Sequence, residues 1–299
     1  MTPTVHQRIP GSLWWTLAGL TLAWGFNWTA MKVALNDFTP WIFRSLCIFF
    51  GSLVLFGVAR LSGKPLSVPR PLWGKLAVLA LFNVSIWNML VAYGLMMIPS
   101  GRAAILAFTM PVWSVPLSAW LLHEKITPRK IGALVLGIAG MLLLLGEDVA
   151  LLGKAPLGAL LALGAALSWA IGTVLQKRWP LGLPMGTFTA WTMGLGGLPI
   201  FIGTFFFERG AWHPVGTTAL LALFYNIFIA FAFAYWAWFK IASTVTVTVS
   251  SISVLSVPIV GVLCGFVVLG ERPSAQEYAA LACVVLAVLA VNLPARKPQ

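Results

Sequence analysis

Long apolar runs separated by short polar breaks make up almost the whole chain. A helix needs about 20 apolar residues to cross a bilayer, and ten runs approach or reach that length. These runs cover residues 12–35, 39–60, 72–97, 100–122, 128–146, 156–177, 185–207, 216–239, 243–269 and 273–293. The run from Ser243 alternates like a strand, but an isolated strand in lipid would leave its backbone groups unpaired. We therefore predict that all ten runs are transmembrane helices.

The second half of the chain repeats the plan of the first. Four matches recur in the same order, at offsets of 142 to 150 residues. They are LAWGFNWTAMK from Leu22 with LSWAIGTVLQK from Leu167, FTPW from Phe38 with FTAW from Phe188, LALF from Leu79 and from Leu221, and P-x(12)-E from Pro111 and from Pro258. Ordered matches of this kind indicate an internal duplication. Each copy has five helices, an odd number, so the predicted all-α integral membrane fold consists of two inverted five-helix repeats, 1–150 and 151–299.

The composition is that of a membrane protein. Of the residues, 60% are hydrophobic and only 9% are charged, whereas a soluble domain has about 25% charged residues. With the N-terminus inside, thirteen basic residues fall in inner segments and five in outer ones. The inner ones are Arg8, Arg60, Lys64, Arg70, Lys75, Lys125, Arg129, Lys130, Lys177, Arg178, Lys240, Arg296 and Lys297, and the outer ones are Lys32, Arg102, Lys154, Arg209 and Arg272. The positive-inside rule therefore explains the net charge of +12 without nucleic acid and places both termini in the cytoplasm.

Catalytic, metal-binding and cofactor chemistry has no signal in the sequence. The cysteines Cys47, Cys264 and Cys283 lie in apolar runs without CxxC spacing, which disfavours a disulfide or a metal site. Neither a cluster of catalytic acids or histidines nor a Walker A motif is present. No Asp, Glu or His lies at the middle of a run, where proton-coupled pumps usually carry a titratable group. These absences predict a transporter rather than an enzyme, working by facilitated export or by coupling without a central carboxylate.

Several motifs then resemble those of a known family. They are Trp24-Gly25-x-Asn27, Pro40-x-x-x-Arg44, and the two P-x(12)-E segments followed by Pro128 and Pro273. Nearly the whole chain resembles the drug/metabolite transporter superfamily, specifically the ten-helix exporters with two EamA-type repeats. The resemblance implies export of small metabolites, amino acids or toxic compounds across the cytoplasmic (inner) membrane. The high Trp and Phe content looks most like the bacterial aromatic amino-acid and methyl viologen exporters. The second repeat departs from the pattern, with Gly172 and Gly194 standing where Asn27 and Arg44 would be expected.

Polar and aromatic side chains inside the runs are candidates for a substrate cavity, because polar groups within a membrane tend to face the bundle interior. The candidates are Trp24, Asn27, Asn83, Trp87, Tyr93, Trp169, Thr173, Tyr225, Asn226, Tyr235 and Trp236. Trp24 and Trp169 are favoured because they occupy matching places in the two repeats. α-Helical geometry places Asn83 on the same face as Trp87 and turns Asn88 about 100° away. Interhelical hydrogen bonding, or simple packing for the aromatic residues, is the structural alternative.

Prolines within the fourth and ninth runs, Pro111, Pro116 and Pro258, are candidates for bends or hinges, because a proline removes a helical hydrogen bond. Arg44, inside the second run, has three interpretations: attraction of a substrate carboxylate, pairing with Asp37, or snorkelling to the outer interface.

Glu124 and Glu271, which close the two P-x(12)-E segments, fall on opposite membrane faces in the predicted topology. They are therefore expected to cap or anchor helix ends, with gating as the functional alternative.

The sequence thus predicts an exporter of small metabolites, amino acids including aromatic ones among them. It would work by alternating access around an aromatic-lined cavity. The alternative substrate is a drug or organic cation, bound by aromatic faces without a carboxylate. We expect a monomer in membrane lipid, with a small-molecule substrate as its partner.

Overall fold

The fold was analysed in a computed structural model that describes residues 9–125, 127–152, 156–208, 210 and 214–292. Within these ranges the chain forms fourteen α-helices and no β-strand. The helices are α1 Trp14–Ala34, α2 Pro40–Leu61, α3 Trp73–Ala80, α4 Trp87–Met97, α5 Ser100–Ala107, α6 Met110–Leu122, α7 Pro128–Leu152, α8 Pro156–Arg178, α9 Met185–Phe207, α10 Thr217–Tyr225, α11 Ala234–Thr244, α12 Val247–Ser253, α13 Val257–Leu269 and α14 Ala275–Asn292. Arg8, Lys154, Arg209, Arg296 and Lys297, used above for topology, lie outside the described residues.

Several of these helices join into longer units. A π-helical segment, Leu81–Ile86, connects α3 to α4, and a second one, Asn226–Phe233, connects α10 to α11. Within the described ranges, six units are long and apolar enough to cross a membrane. They are Pro40–Leu61, Arg70–Met97, Ser100–Leu122, Leu157–Arg178, Met185–Phe207 and Thr217–Thr244. Shorter apolar helices cover Ile131–Gly140, Val257–Leu269 and Ala275–Ala287. The prediction of an all-helical membrane protein is confirmed in the described part of the chain.

One predicted boundary is wrong. The eighth run was expected to end at residue 239 and the ninth to begin at Ser243, but α11 continues to Thr244. Val245 is extended and ends the helix, and the next helix begins at Val247. Apolar residues continue through this break without interruption, so hydropathy alone does not locate it. The Ser/Thr-rich segment that follows is helical in Val247–Ser253, as predicted.

Two of the three candidate hinge prolines, Pro111 and Pro258, lie where one helical segment ends and the next begins. Pro111 lies in the first turn of α6, directly after the Phe108–Thr109 break that ends α5. Pro258 lies in the first turn of α13, after a short 3₁₀ turn, Val254–Ser256. A proline costs no hydrogen bond in a first turn, because the N–H groups there have no helical partner. Of the three candidate hinge prolines, Pro116 alone lies inside a helix, within α6.

The helices pack as a bundle in which α1 and α8 are central. α1 packs against α13 and against the unit α10–α11, while α8 packs against α6 and against the unit α3–α4. Two further pairs run side by side, α2 with α9 and α7 with α14. The outer surface carries many exposed large apolar side chains, including Leu61, Phe206 and Val267. Such a surface suits hydrocarbon as the solvent.

Close approach between helices depends on glycine at one contact that supports the site. At Gly196 of α9, an added Cβ would overlap with Val84 and with the carbonyl oxygen of Ala80. The Ser85 hydroxyl donates a hydrogen bond to the Gly196 carbonyl at 2.6 Å. This contact seats the first π-helical segment directly on the α9 backbone.

Candidate functional site

An aromatic cluster occupies the centre of the bundle, between α1, α8 and α11. The Trp169 ring lies 5.5 Å from Trp24 and 5.5 Å from Tyr235, in edge-to-face contacts. Trp87 and Trp238 flank it at 4.7 Å and 5.7 Å. The Trp24 indole N–H donates to the Ala230 carbonyl at 3.1 Å, which holds α1 against the second π-helical segment. Edge-to-face aromatic pairs of this kind add about 0.5–1.5 kcal/mol each beyond the area that they bury.

Beside the cluster lies a cavity of about 30 Å³. This central cavity is lined by Trp24, Asn27, Trp28, Met31, Arg44, Trp87, Asn88, Val91, Phe108, Met110, Trp169, Ala230, Phe231 and Tyr235. A space of that size accommodates one or two water molecules, not an amino acid. A substrate of the size of an amino acid would fit only after the helices move apart.

Three hydrogen-bonding side chains form one wall of the central cavity. The Asn88 amide donates to the Tyr235 hydroxyl at 2.9 Å and to the Val84 carbonyl at 2.8 Å. The Tyr235 hydroxyl donates to the Asn83 carbonyl at 3.4 Å. Asn27 is buried, and its Oδ1 has no hydrogen-bond partner among the described residues. That oxygen is available to a donor in the cavity.

A buried cation also lines the central cavity. Arg44 is 1% exposed, and its guanidinium carbon lies 5.5 Å and 5.8 Å from the ring centroids of Phe43 and Phe231. One guanidinium nitrogen donates to the sulfur of Met31 at 2.7 Å, and a thioether is a weak acceptor. Snorkelling, one of the three interpretations, is wrong, because the side chain turns into the bundle.

Five of the predicted substrate residues meet at the central cavity: Trp24, Asn27, Trp87, Trp169 and Tyr235. They come from α1, α4, α8 and α11, that is, from both halves of the chain. Trp24 and Trp169, singled out for their matching positions, contact each other directly.

Three other candidates lie away from the central cavity. The Tyr93 hydroxyl accepts a hydrogen bond from the Trp41 indole at 2.8 Å on the exposed surface. The Tyr225 hydroxyl donates to the Ala23 carbonyl at 2.6 Å. Trp236 carries the Lys240 ammonium over its ring at 5.0 Å and lines a separate surface groove.

The last three candidates are buried between helices. The amides of Asn83 and Asn226 donate to the carbonyls four residues earlier, and the Thr173 hydroxyl does the same. Asn83 packs against Gly172, where an added Cβ would overlap with its amide. The glycine that replaces the expected asparagine in the second repeat therefore makes room for Asn83.

Sequence reasoning missed Asn88 and Phe231 as cavity residues, and it left Arg44 with a substrate carboxylate, Asp37 or the outer interface as alternatives. Asn88 was expected to face away from the wall that holds Trp87, yet both line the central cavity. The two are consecutive residues of α4, about 100° apart, and the central cavity spans the helix surface between them. The π-helical segment Leu81–Ile86, whose i→i+5 hydrogen bonds place an extra residue in the turn, changes the rotation between Asn83 and Trp87 instead, and Asn83 is not among the lining residues. No residue pattern in this apolar run predicts the extra residue.

Glu271 caps a helix that belongs to the other half of the chain. After α13 ends at the left-handed Gly270, the Glu271 carboxylate accepts from the Ser100 N–H at 2.9 Å and hydroxyl at 2.7 Å, and from the Gly101 N–H at 3.3 Å. Lys32 lies within electrostatic range of this carboxylate and donates to the last carbonyls of the unit α3–α4, Leu95 at 2.6 Å among them. We call this group the Glu271 latch.

Glu124 makes the corresponding contact at the opposite end of the unit α5–α6. After α6 ends at the left-handed His123, the Glu124 carboxylate accepts from the Val247 N–H at 3.2 Å, at the start of α12. Lys177 lies within electrostatic range and donates to the Val245 carbonyl at 2.8 Å and to that of Ser243. We call this group the Glu124 latch. Both glutamates therefore cap helix starts, the structural role expected for them, and gating stays a prediction.

Metal and redox chemistry find no support in the described residues. No group of three His, Cys, Asp or Glu side chains converges there. Cys47 is buried, Cys264 and Cys283 are partly buried, and all three are free thiols.

Comparison with known proteins gives one consistent picture. The sequence profile of the EamA-like transporter family matches residues 11–146 and again 156–293. The chain is 27% identical over 257 residues to "Uncharacterized transporter YoaV" of Bacillus subtilis, covering 86% of this chain and 88% of the relative. It is 25% identical over 283 residues to a "Probable amino-acid metabolite efflux pump" of Salmonella typhimurium, covering 92% of each. A solved crystal structure superposes with a TM-score of 0.73 at 22% identity, over 94% of this chain and 97% of the other, which shows a shared fold.

Proposed function

The chain belongs to the EamA-like transporter family, and on that premise we propose that it exports small metabolites, amino acids including aromatic ones, across the cytoplasmic membrane. The observation that carries the proposal is the central cavity, which is walled by tryptophans and by polar side chains from both halves of the chain. An apolar cavity with a few convergent polar groups is what a small amphipathic solute requires. The name of the Salmonella typhimurium relative agrees with this class of substrate.

We propose further that ten spanning helices form two inverted repeats, 1–150 and 151–299, in a monomer with both termini in the cytoplasm. The packing supports this arrangement, because each contact between two helices recurs between their counterparts in the other repeat. The counterpart of α1 is α8, that of the unit α3–α4 is the unit α10–α11, and that of α6 is α13. α1 packs on the unit α10–α11 as α8 packs on the unit α3–α4, and α1 packs on α13 as α8 packs on α6. The other two pairs each join a helix to its own counterpart in the other repeat: α2 packs on α9, and α7 packs on α14.

Alternating access follows from this arrangement. The Glu271 latch and the Glu124 latch hold opposite ends of the bundle, and each one joins a helix end of one repeat to a helix start of the other. Opening one latch while the other stays closed would expose the central cavity to one side only. The helix breaks at Pro111 and Pro258, with Pro116 inside α6, provide the bending points.

An organic cation is the second candidate substrate. The observation in its favour is the set of aromatic faces around the central cavity, because ring faces attract cations even without a carboxylate. Against it stands Arg44, whose positive charge lies in the same cavity wall.

Transport by purified protein in sealed proteoliposomes tests the proposal. Labelled phenylalanine, leucine and methyl viologen would be offered with and without a pH gradient. We expect amino-acid transport that does not require the gradient. Trp169→Phe should reduce the rate, whereas Trp15→Phe, at a side chain that is 87% exposed, should not. Transport of methyl viologen alone would refute the proposal in favour of the cation alternative.

A further inference from the structure

Arg44 is a buried cation without a carboxylate partner among the described side chains. Its Nε has no hydrogen-bond partner in the described residues, and its one hydrogen bond goes to a thioether. A charge taken out of water is stable only when it is paired or well hydrogen-bonded. Two aromatic faces at 5.5 Å and 5.8 Å compensate the charge only in part.

The carboxylates whose side chains the structure describes are all engaged elsewhere. Asp37 accepts from the Gly216 N–H, Glu208 from Thr39 and Ile42, Glu124 from Val247, Glu271 from Ser100 and Gly101, and Glu277 from Arg102 and Ser274. The pairing of Arg44 with Asp37, considered from the sequence, therefore does not occur. The partner for this guanidinium has to come from outside these side chains.

A second unpaired donor belongs to another residue of the cavity lining. The Trp169 indole N–H is buried without a hydrogen-bond partner among the described residues, and Trp169 lines the central cavity together with Arg44. Two free donors, one of them charged, match the oxygen atoms of a carboxylate. The one free acceptor described above, Asn27 Oδ1, is neutral and offers an ammonium group a single uncharged hydrogen bond.

We propose that Arg44 binds the carboxylate of the substrate and is the main determinant of specificity. The substrate class is then the small monocarboxylates with an aromatic or apolar side chain, whether or not they carry an amino group. This inference rests on the proposed export function and extends it beyond amino acids. A guanidinium forms two parallel hydrogen bonds with a carboxylate, which makes this contact stronger than the neutral one to the amino group.

Four probes of similar shape distinguish recognition of the carboxylate from recognition of the amino group. They are phenylalanine, 3-phenylpropionate without the amino group, phenylalaninamide without the carboxylate charge, and phenethylamine with the amine alone. Binding would be followed by thermal stabilisation of the purified protein, and transport in proteoliposomes. We expect 3-phenylpropionate to bind within about tenfold of phenylalanine. Phenylalaninamide and phenethylamine should bind at least about tenfold more weakly, because a charge-assisted bidentate contact is lost.

Arg44→Gln should lose at least about tenfold in affinity for both carboxylates. Arg60→Gln, an exposed arginine on the same helix, is the matched control and should bind like the parent protein. If Arg44→Gln does not fold, the role of Arg44 is tested with Arg44→Lys and with the probe series on the parent protein. Equal binding of phenylalaninamide and phenylalanine would overturn the role of Arg44 and leave amino-acid export intact. Absence of transport for every probe and for leucine would overturn the proposed function itself.

Discussion

Weakening one latch should open one end of the transporter. Glu271→Gln keeps the size of the side chain but replaces one carboxylate oxygen by an NH₂ group that faces N–H and O–H donors. The carboxylate accepts three hydrogen bonds, at 2.7, 2.9 and 3.3 Å, in a partly buried position. Losing the charge and at least one acceptor costs the closed state about 1–2 kcal/mol. The population open at that end should therefore rise roughly 5- to 30-fold.

A cysteine in the cavity reports that population. Val91→Cys, at a buried position in the lining, would be placed in a protein whose own three cysteines are replaced. A membrane-impermeant thiol reagent is added to one side of sealed, uniformly oriented vesicles. With the proposed topology, Glu271→Gln should raise the labelling rate from outside by the same 5- to 30-fold.

Glu124→Gln is the matched control at the other end. It removes the same charge from the start of α12 and should raise labelling from the cytoplasmic side while lowering it from outside. Two variants that shift labelling in the same direction, or a Glu271→Gln variant that labels like the parent, would refute the assignment of these contacts as gates.

Three further outcomes are expected. Gly172→Ala forces a methyl group into the Asn83 amide and should lower the unfolding free energy by about 1–3 kcal/mol in detergent, whereas Gly57→Ala, with open space around it, should not. Trp169→Phe removes an unpaired N–H and should weaken binding of 3-phenylpropionate several-fold, with Trp15→Phe unchanged. An inside-negative membrane potential of about 100 mV favours export of the 3-phenylpropionate anion by about 2.3 kcal/mol, roughly fiftyfold. It should leave the export of zwitterionic phenylalanine unaffected. An equal response of both substrates would refute the prediction that 3-phenylpropionate is transported as an anion.

The architecture was accessible from the sequence because lipid allows few solutions. An apolar run of about 20 residues has to be helical there, so hydropathy alone predicts the elements. The boundary between α11 and α12 was not accessible in this way. Val245 breaks the helix within an uninterrupted apolar stretch, and hydropathy is blind to such a break.

Part of the candidate site, five of the fourteen lining residues, was predictable for a second reason. Trp24 and Trp169 were chosen because they occupy equivalent positions in a duplicated chain, and equivalent positions meet where the two copies face each other. Asn88 was missed because consecutive helical residues, although about 100° apart, can both line one cavity, which an argument from a single helix face excludes. A substrate role for Arg44 was among the interpretations from the sequence, but its burial was not predictable, because whether an arginine snorkels depends on which helices cover it. Here Met31 of the preceding helix and Phe231 of the second repeat do so.

The burial of Arg44 also constrains the kinetics of the transport cycle. A carrier must close around its site twice in each cycle, once loaded and once unloaded. Closing with a bound carboxylate buries a neutralised ion pair, whereas closing without one buries the guanidinium against a thioether and two rings. If Arg44 binds the substrate carboxylate as proposed, the unloaded return should be the slower step. Substrate present outside the vesicle or cell should therefore accelerate efflux. Exchange of internal for external substrate should be faster than net efflux into a substrate-free medium.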